Sequence, residues 1–305
     1  MIRPLDTPLR LEVLGTLLAQ SYVPHSNLRA SSVLQKRASL QAFERYLSRL
    51  ATIADLDRET VVAFLNWYGR EAEPSTVAAK RKDLLALWSH AFEEGLTSAA
   101  PFKIKPVRVP HKEPEGLTEA ELRDLLAACE RLPGVFRYCG DRKRRANVPQ
   151  RIYFPAYIRC FLSTGLRRSA MLAVKRADVR RDRTFVARWE ASKTWIEQTK
   201  QLDDVTWRAL EDLHRFGPFD RLLPSPTRKY VDRAWGDLLE LAGFERSRYM
   251  QAQMLRRVAA SYKELQEPGS ATDFLGHKTP GLAKRSYLIK RIVRPQICRG
   301  PSLNL

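Results

Sequence analysis

The sequence has 305 residues, with 53 Lys or Arg against 34 Asp or Glu, so its formal net charge is +19 at pH 7. Hydrophobic residues make up 44% of the chain, which is ordinary for a globular protein with a sizeable core. We find no apolar run long enough for a spanning helix and no signal peptide, and the cationic excess favours a nucleic-acid partner. An anionic membrane surface and a merely basic protein are the alternatives.

Three helices are predicted in the N-terminal third of the chain. Residues 1–28 contain three prolines, and we expect them to be irregular or weakly helical. Apolar residues then recur at helical spacing over residues 31–50, 57–68 and 73–95. The second of these helices is expected to begin near Asp57, and Gly95 is suited to end the third.

Basic residues concentrate on the third helix and on the segment that follows it. Residues 101–116 contain four prolines, which favour an extended linker between two domains. Both sides of this linker carry a net positive charge, as expected if both contact one polyanion. We predict contacts to nucleic-acid phosphates at seven positions, although a solvated surface is the alternative for any single one: Lys80, Arg81, Lys82, Lys103, Lys105, Arg108 and Arg257.

The second half of the chain opens with a capping box, in which Thr118 precedes Glu121 by three residues and begins a helix that runs to about Cys129. Residues 133–151 contain proline, glycine and a basic run, and we expect a loop there. Apolar residues predict a helix over residues 154–162, and a second helix is expected over residues 169–175.

The hydrophobic period changes from helical to alternating between residues 184 and 202. Two alternating runs flank a short polar segment, which predicts a β-hairpin with Lys193 near its tip. Helices resume at residue 204, over residues 227–241, where Tyr230 is expected to pack inward, and over residues 252–266. The predicted fold is therefore mainly α with a small β-hairpin or sheet. Its parts are a helical domain (1–100), a linker (101–116), a second domain (117–290) and a tail (291–305).

Groups suited to phosphodiester chemistry follow one another in the second domain. Arg167 ends the sequence Thr-Gly-Leu-Arg, and Arg256 lies on the helix over residues 252–266. His277 ends the sequence Leu-Gly-His, and Tyr287 follows a Pro-Gly break. Guanidinium groups bind phosphate oxygens bidentately, a lysine such as Lys193 can protonate a leaving oxygen, and a phenol can attack phosphorus.

This order of parts resembles the catalytic domain of the tyrosine recombinases, the phage-integrase family. The N-terminal helices and basic linker resemble the SAM-like core-binding domain of that family, so the resemblance covers residues 30 to 290. Thr-Gly-Leu-Arg alone is a weak motif, whereas five parts in order are specific. The resemblance implies a cytoplasmic, DNA-associated enzyme that clamps double-stranded DNA between its domains and acts as a homotetramer on DNA and as a monomer when free. It implies cleavage without metal, ATP or any other cofactor.

The resemblance also implies the roles of the site residues. Arg167 and Arg256 are the two catalytic arginines, and Tyr287 is the nucleophile that forms a 3′-phosphotyrosine. Lys193 is the general acid for the leaving 5′ oxygen, and His277 donates a hydrogen bond to the phosphate. The implied catalytic set is Arg167, Lys193, Gln253, Arg256, His277 and Tyr287.

Three positions depart from the pattern of the family. Gln253 and Arg257 stand where histidines are usual, and Ala170 stands where an acidic residue is usual. An amide does not titrate, so Gln253 can orient the phosphate or the phenol but cannot act as a general base. Gln253 and Ala170 suggest one alternative, a DNA-binding protein of the same fold that no longer cleaves. A type IB topoisomerase, which shares the tyrosine chemistry but acts as a monomer, is the other alternative.

The tail after the tyrosine contains apolar residues that need a partner. Ile289, Ile292 and Val293 can contact a neighbouring protomer, as such tails do in the family, or they can pack on the surface of their own chain.

The four cysteines and five histidines complete the list of reactive residues. Cys129, Cys139, Cys160 and Cys298 are widely spaced and form no CxxC pair, so neither a zinc site nor a disulfide framework is predicted. The histidines are scattered as well, and metal-dependent catalysis is not expected.

Overall fold

The structure is a computed structural model that describes residues 12–139, 145–188, 196–247, 250–277, 279, 281, 283 and 286–293. Contacts between Cα atoms divide the chain into two units, residues 1–111 and 112–305. The described elements are mostly helices, with two small antiparallel sheets in unit 2, so the predicted fold class is confirmed. No helix among the described residues is both long and apolar enough to cross a membrane.

Three long helices form the frame of unit 1: α1 (Ala30–Leu47), α2 (Arg58–Tyr68) and α3 (Pro74–Glu93). Asp57 begins α2 by accepting a hydrogen bond from the backbone of Thr60 at 2.9 Å. Pro74 begins α3. Proline has no N–H group, but an N–H at the first helical position would have no partner within the helix, so no hydrogen bond is lost. The helices predicted here are confirmed, with differences of up to three residues at their ends.

The segment before α1 is more ordered than its prolines indicate. Short helical turns follow one another at Leu14–Thr16, Leu17–Tyr22 and Val23–His25. Leu14, Leu17 and Leu18 are fully buried in the core of unit 1, so over this part the segment is helical, which is the second of the two expected structures. Pro24 lies near the end of this helical run, directly after the turn Leu17–Tyr22.

The core of unit 1 combines aromatic packing with one buried ion pair. The rings of Phe43 and Phe64 meet edge to face, with centroids 5.1 Å apart. Between α1 and α3, the buried carboxylate of Asp83 accepts hydrogen bonds from Lys36 at 3.3 Å and from Ser39 at 2.7 Å. Because both charges are buried, removal of either partner would leave an uncompensated charge in the core.

Unit 2 is arranged around one apolar helix, α5, whose side chains Tyr153, Phe154, Tyr157 and Phe161 are almost fully buried. The α-helices that the structure describes in this unit are α4 (Glu119–Cys129), α5 (Gln150–Thr164), α6 (Arg168–Ala173), α7 (Asp204–His214), α8 (Arg228–Leu241), α9 (Met254–Gln266), α10 (Ala271–Leu275) and α11 (Lys290–Val293). Its strands are β1 (Val135–Cys139), β2 (Arg145–Pro149), β3 (Thr184–Ala187) and β4 (Gln198–Gln201). The capping box predicted at Thr118 is confirmed.

The described residues of the range 133–151 include strands β1 and β2, so the prediction of a loop there is wrong. Strands β1 and β2 pair antiparallel, with Phe136 opposite Val148. Both of these side chains are buried, because alternate residues of the hairpin face the aromatic residues of α5. The basic run at residues 142–144 lies outside the described residues.

Strands β3 and β4 form the hairpin that the alternating pattern predicts. They pair antiparallel, with Phe185 opposite Lys200. Residues 189–195, and with them Lys193, lie outside the described residues.

Two predictions about apolar packing in unit 2 have different outcomes. Tyr230 was expected to pack inward but is 63% exposed, because it lies one helical position away from the buried stripe of α8. Ile289 and Ile292 are buried in the core of their own unit, where Ile289 packs against Gly116 and Val258. The beginning of the tail therefore packs on its own chain.

Candidate active site

Arg256 lies at the centre of the site, on α9. Its side chain is only 1% exposed, and one terminal nitrogen donates to the carbonyl oxygen of Gly165. The other donates to the carbonyl oxygen of Leu275 at 2.7 Å and lies 3.4 Å from Nε2 of His277. Arg256 thus joins the Thr-Gly-Leu-Arg turn after α5 to the Leu-Gly-His turn after α10.

Both turns require glycine. Gly165 has φ +60°, and a Cβ atom there would lie 2.3 Å from the ring of Phe274. Gly276 also has φ +60°, and a Cβ atom there would lie 1.4 Å from Nε2 of Gln198. These glycines let two chain turns approach the same arginine, which explains the motif in physical terms.

His277 is buried beside the guanidinium group. A guanidinium only donates hydrogen bonds, so Nε2 of His277 accepts and the neutral ring carries its proton on Nδ1. Burial and the charges of Arg256 and Arg167 lower the pKa of His277 to about 4, which keeps the ring neutral at physiological pH. Nδ1 is buried and has no hydrogen-bond partner among the described residues, so it is a donor that a ligand can use.

Tyr287 contacts both of these groups. Its ring lies edge to face against the ring of His277, with centroids 4.7 Å apart, and the guanidinium carbon of Arg256 lies 5.4 Å from its centroid. The buried hydroxyl of Ser261 holds the backbone that follows Tyr287 against α9, because it accepts from the N–H of Ile289 at 2.8 Å and donates to the carbonyl oxygen of Arg257 at 2.9 Å. The phenol therefore lies beside Arg256 and His277, the two side chains that are candidates to bind a phosphate group.

The site is cationic and short of counter-charge. Burial and the nearby charge of Arg167 lower the pKa of Arg256 to about 10, and Tyr287 acts in the opposite direction. Among the described residues, no carboxylate pairs with Arg256, and its buried Nε has no hydrogen-bond partner. Two guanidinium groups held together in this way are suited to bind a phosphate group.

Gln253 and Lys193 are the remaining candidates for the catalytic set. Gln253 is exposed and immediately precedes α9, one helical turn before Arg256. Ala170, at the position where the family usually has an acidic residue, is buried in the small space between Arg167, Gln198 and Arg256. Lys193 lies outside the described residues, so its place in the site stays a prediction.

Two residues of β4 support the site and were missed by the sequence analysis. Lys200 is buried, and its Nζ donates to the carbonyl oxygen of Phe274 at 2.5 Å. Gln198 donates to the carbonyl oxygen of Leu275 at 3.2 Å. Together they satisfy the last carbonyl groups of α10 and join the predicted hairpin to the turn that carries His277. The alternation of side chains along a strand could have identified them, because Gln198 and Lys200 lie on the same face of the strand as the buried Leu202.

Replacing Lys200 by methionine is expected to change how stability depends on pH. Burial, with a smaller contribution from Arg256, lowers the pKa of Lys200 to about 8, so above that pH the unfolded chain binds more protons than the folded one. The free energy of unfolding of the parent protein should therefore rise by about 2–3 kcal/mol relative to Lys200→Met between pH 8 and 10.5. Denaturant unfolding of both proteins across this range measures the difference, and parallel pH profiles would contradict the assignment.

The predicted phosphate contacts divide into buried and exposed side chains. Lys80 is buried, donates to the carbonyl oxygen of Ala38 at 2.9 Å and has a pKa lowered by burial, so we withdraw it as a phosphate contact. Arg81 donates to the carbonyl oxygen of Ile104 and is half-buried, so it holds the following segment against α3. Arg257 is also half-buried, and burial lowers its pKa. The exposed candidates are Lys82, Lys103, Lys105 and Arg108.

Comparison with known proteins relates the chain to the tyrosine recombinases. No protein-family model matches the sequence. A protein of Pseudomonas aeruginosa assigned as a tyrosine recombinase XerC is 24% identical over 190 residues, which cover 59% of this chain. The match spans 43% of that protein, so the chain accounts for less than half of its length.

Solved structures show the same relation in the fold. A lambda integrase dimer bound to a core site aligns over 92% of this chain and 95% of its own, with a TM-score of 0.70 and 16% identity. The post-cleavage complex of XerH with its palindromic difH substrate aligns over 87% of this chain and 77% of its own, with a TM-score of 0.65 and 17% identity. The Tn1549 transposon integrase with circular intermediate DNA aligns over 89% and 94%, with a TM-score of 0.66 and 12% identity. The chain has the fold of these recombinases, and the predicted resemblance is confirmed.

Proposed function

We propose that the protein is a site-specific DNA recombinase that cleaves and rejoins strands through Tyr287. One observation carries this proposal: the phenol lies directly against a buried arginine and a neutral histidine, in a cationic site that lacks a carboxylate for Arg256 among the described residues. A phosphodiester supplies the anion that this site needs, and the phenol supplies the nucleophile.

The reaction that fits these groups is a transesterification. The phenolic oxygen of Tyr287 attacks phosphorus and loses its proton to solvent, while the bond between phosphorus and the 5′ oxygen breaks. The products are a 3′-phosphotyrosine and a 5′-hydroxyl, and attack by the 5′-hydroxyl of another strand reverses the step. The bond energy is kept in the phosphotyrosine, so rejoining requires no ATP.

Each residue of the site has one task in this reaction. Arg167 and Arg256 bind the non-bridging oxygens, whose negative charge grows in the transition state. His277 donates from Nδ1, because a pKa of about 4 makes it a poor base at neutral pH. Gln253 can orient the phosphate or the phenol by hydrogen bonding.

Lys193 is proposed as the acid that protonates the leaving 5′ oxygen. Its replacement by alanine is expected to slow cleavage of ordinary DNA by about 10²–10⁴-fold. A substrate with sulfur in place of the bridging 5′ oxygen should restore most of this rate, since a thiol with a pKa of about 8.5 leaves without protonation. Single-turnover cleavage of both substrates measures the effect.

Lys200→Met provides the matched control for this experiment. Lys200 holds the turn before His277 and does not face the leaving oxygen in this assignment, so sulfur should not restore the activity that its loss removes. If sulfur rescued Lys200→Met and failed to rescue Lys193→Ala, the two lysines would have been assigned the wrong roles.

The proposed partners are double-stranded DNA and further copies of this chain. A lambda integrase tetramer bound to a Holliday junction, with a TM-score of 0.70 to this chain, shows that the fold can assemble in this way in that protein. Strand exchange between two duplexes would support a recombinase that acts as a tetramer. Relaxation of supercoiled DNA by a monomer, without strand exchange, would instead indicate a topoisomerase.

A further inference from the structure

Unit 1 contains a group of potential metal ligands that takes no part in the proposed cleavage. His25 ends the helical segment before α1, and His90 and Glu94 lie at the C-terminal end of α3. One ligand atom from each of the three lies within 4.8 Å of the other two. The group therefore brings together two chain segments that are 65 positions apart.

The two histidines are oriented by contacts to a single residue, Ser21. Nδ1 of His25 donates to the carbonyl oxygen of Ser21 at 2.9 Å, so the lone pair of its neutral ring is on Nε2. Nε2 of His90 lies 2.8 Å from the hydroxyl of Ser21, which is buried. When Nε2 donates to this hydroxyl, Nδ1 of His90 carries the free lone pair. A hydrogen bond on the outer nitrogen is the arrangement that metal-binding histidines use.

One residue of the group is packed in the interior, and the other two are exposed to solvent. His90 is buried, and the ring of Tyr22 packs edge to face against it with centroids 5.2 Å apart. His90 and Glu94 are four residues apart, so they project from the same face of α3. His25 and Glu94 are exposed, which gives an ion from solvent access to the ligand atoms.

We propose that His25, His90 and Glu94 bind one transition-metal ion of the Zn²⁺ type, with water as a fourth ligand. Two imidazoles and one carboxylate are a donor set that Zn²⁺ uses, whereas Mg²⁺ and Ca²⁺ prefer oxygen ligands. Tetrahedral binding at about 2.0–2.1 Å requires ligand atoms about 3.4 Å apart, so the exposed side chains of His25 and Glu94 must move inward by about 1–1.5 Å. The bound ion would fasten the segment before α1 to the end of α3 and stabilise unit 1.

Titration of the full chain with Co²⁺, after removal of any histidine tag, tests this site. We expect one Co²⁺ per chain with the visible absorption of a tetrahedral complex, displacement by Zn²⁺ and a higher melting temperature with Zn²⁺ than with a chelator. His25→Ala and Glu94→Gln should each weaken binding at least about tenfold, because each removes a ligand and leaves the packed His90 in place. His111→Ala, which removes another exposed histidine of the same unit, should bind as the parent does.

The outcomes separate a metal site from a purely structural hydrogen-bonded cluster. Absence of the tetrahedral spectrum, or binding that His25→Ala and Glu94→Gln leave unchanged, would overturn the proposal. The result is independent of DNA cleavage, since the residues proposed for cleavage lie in unit 2.

Discussion

Replacing Tyr287 by phenylalanine is expected to abolish the covalent protein–DNA adduct completely. The substitution removes only the phenolic oxygen, which is the atom proposed to attack phosphorus. The ring that packs against His277 at 4.7 Å is kept, so folding and DNA affinity should not change. Nicked duplexes tiled across the DNA that flanks the gene trap the adduct, because the short strand beyond the cleavage point diffuses away before rejoining.

Tyr262→Phe is the matched control for this prediction. Tyr262 lies on α9 in the same unit, is partly buried against the core and has no assigned role in cleavage. It should form the adduct at the parental rate. An adduct that persists in Tyr287→Phe and is lost in Tyr262→Phe would move the nucleophile to α9 and refute the proposed site.

Replacing Arg256 by alanine is expected to reduce both cleavage and stability. Loss of one guanidinium at the developing charge should slow cleavage by about 10²–10³-fold. The carbonyl group of Gly165 would also lose its buried donor, which costs about 1–3 kcal/mol, whereas the carbonyl group of Leu275 keeps the hydrogen bond from Gln198. Single-turnover cleavage at saturating protein and denaturant unfolding measure the two effects separately.

Arg167→Ala separates catalysis from folding at the same site. Arg167 is half-buried, and no hydrogen bond joins its side chain to another described residue, so its loss should lower the cleavage rate to a similar extent with less than about 1 kcal/mol of destabilisation. If Arg256→Ala cleaved DNA at the parental rate while Arg167→Ala was inactive, Arg256 would be a purely structural residue.

The helical part of the fold was predictable because local signals agree with it. Thr118 begins the helix that its capping box predicts, and apolar residues at helical spacing predict the three long helices of unit 1. The β1–β2 hairpin was missed because its two strands are only five residues each and adjoin glycine, proline and a basic run. Residues of this kind usually indicate a loop, and only the packing of Phe136 and Val148 against α5 decides otherwise.

The candidate catalytic residues were predictable from their order in the sequence, but the residues that hold them in position were not. Sequence order placed Arg256, His277 and Tyr287 together, and the structure brings them into contact. Lys80 was judged by charge alone, which favours exposure, and Lys200 was not singled out, whereas both donate to backbone carbonyl groups in the interior. Such hydrogen bonds form only when the fold places a backbone carbonyl group next to a buried ammonium group. No local sequence pattern predicts this placement.

The pairing of His25 with His90 depends on tertiary structure for the same reason. The two residues are far apart in the chain, and the first lies in a segment that was expected to be irregular or weakly helical. Helical packing of Leu14, Leu17 and Leu18 brings that segment to the end of α3. The histidines are therefore scattered in the sequence, whereas the fold brings two of them together with Glu94 as potential metal ligands.

Peptide mapping of the trapped protein–DNA adduct tests the central claim most directly. After digestion of the protein and of the DNA, mass spectrometry should find a nucleotide joined through its 3′ phosphate to the peptide that contains Tyr287, together with a free 5′-hydroxyl on the released strand. A nucleotide on any other residue, or the absence of an adduct on every nicked duplex, would contradict the proposal that Tyr287 is the nucleophile.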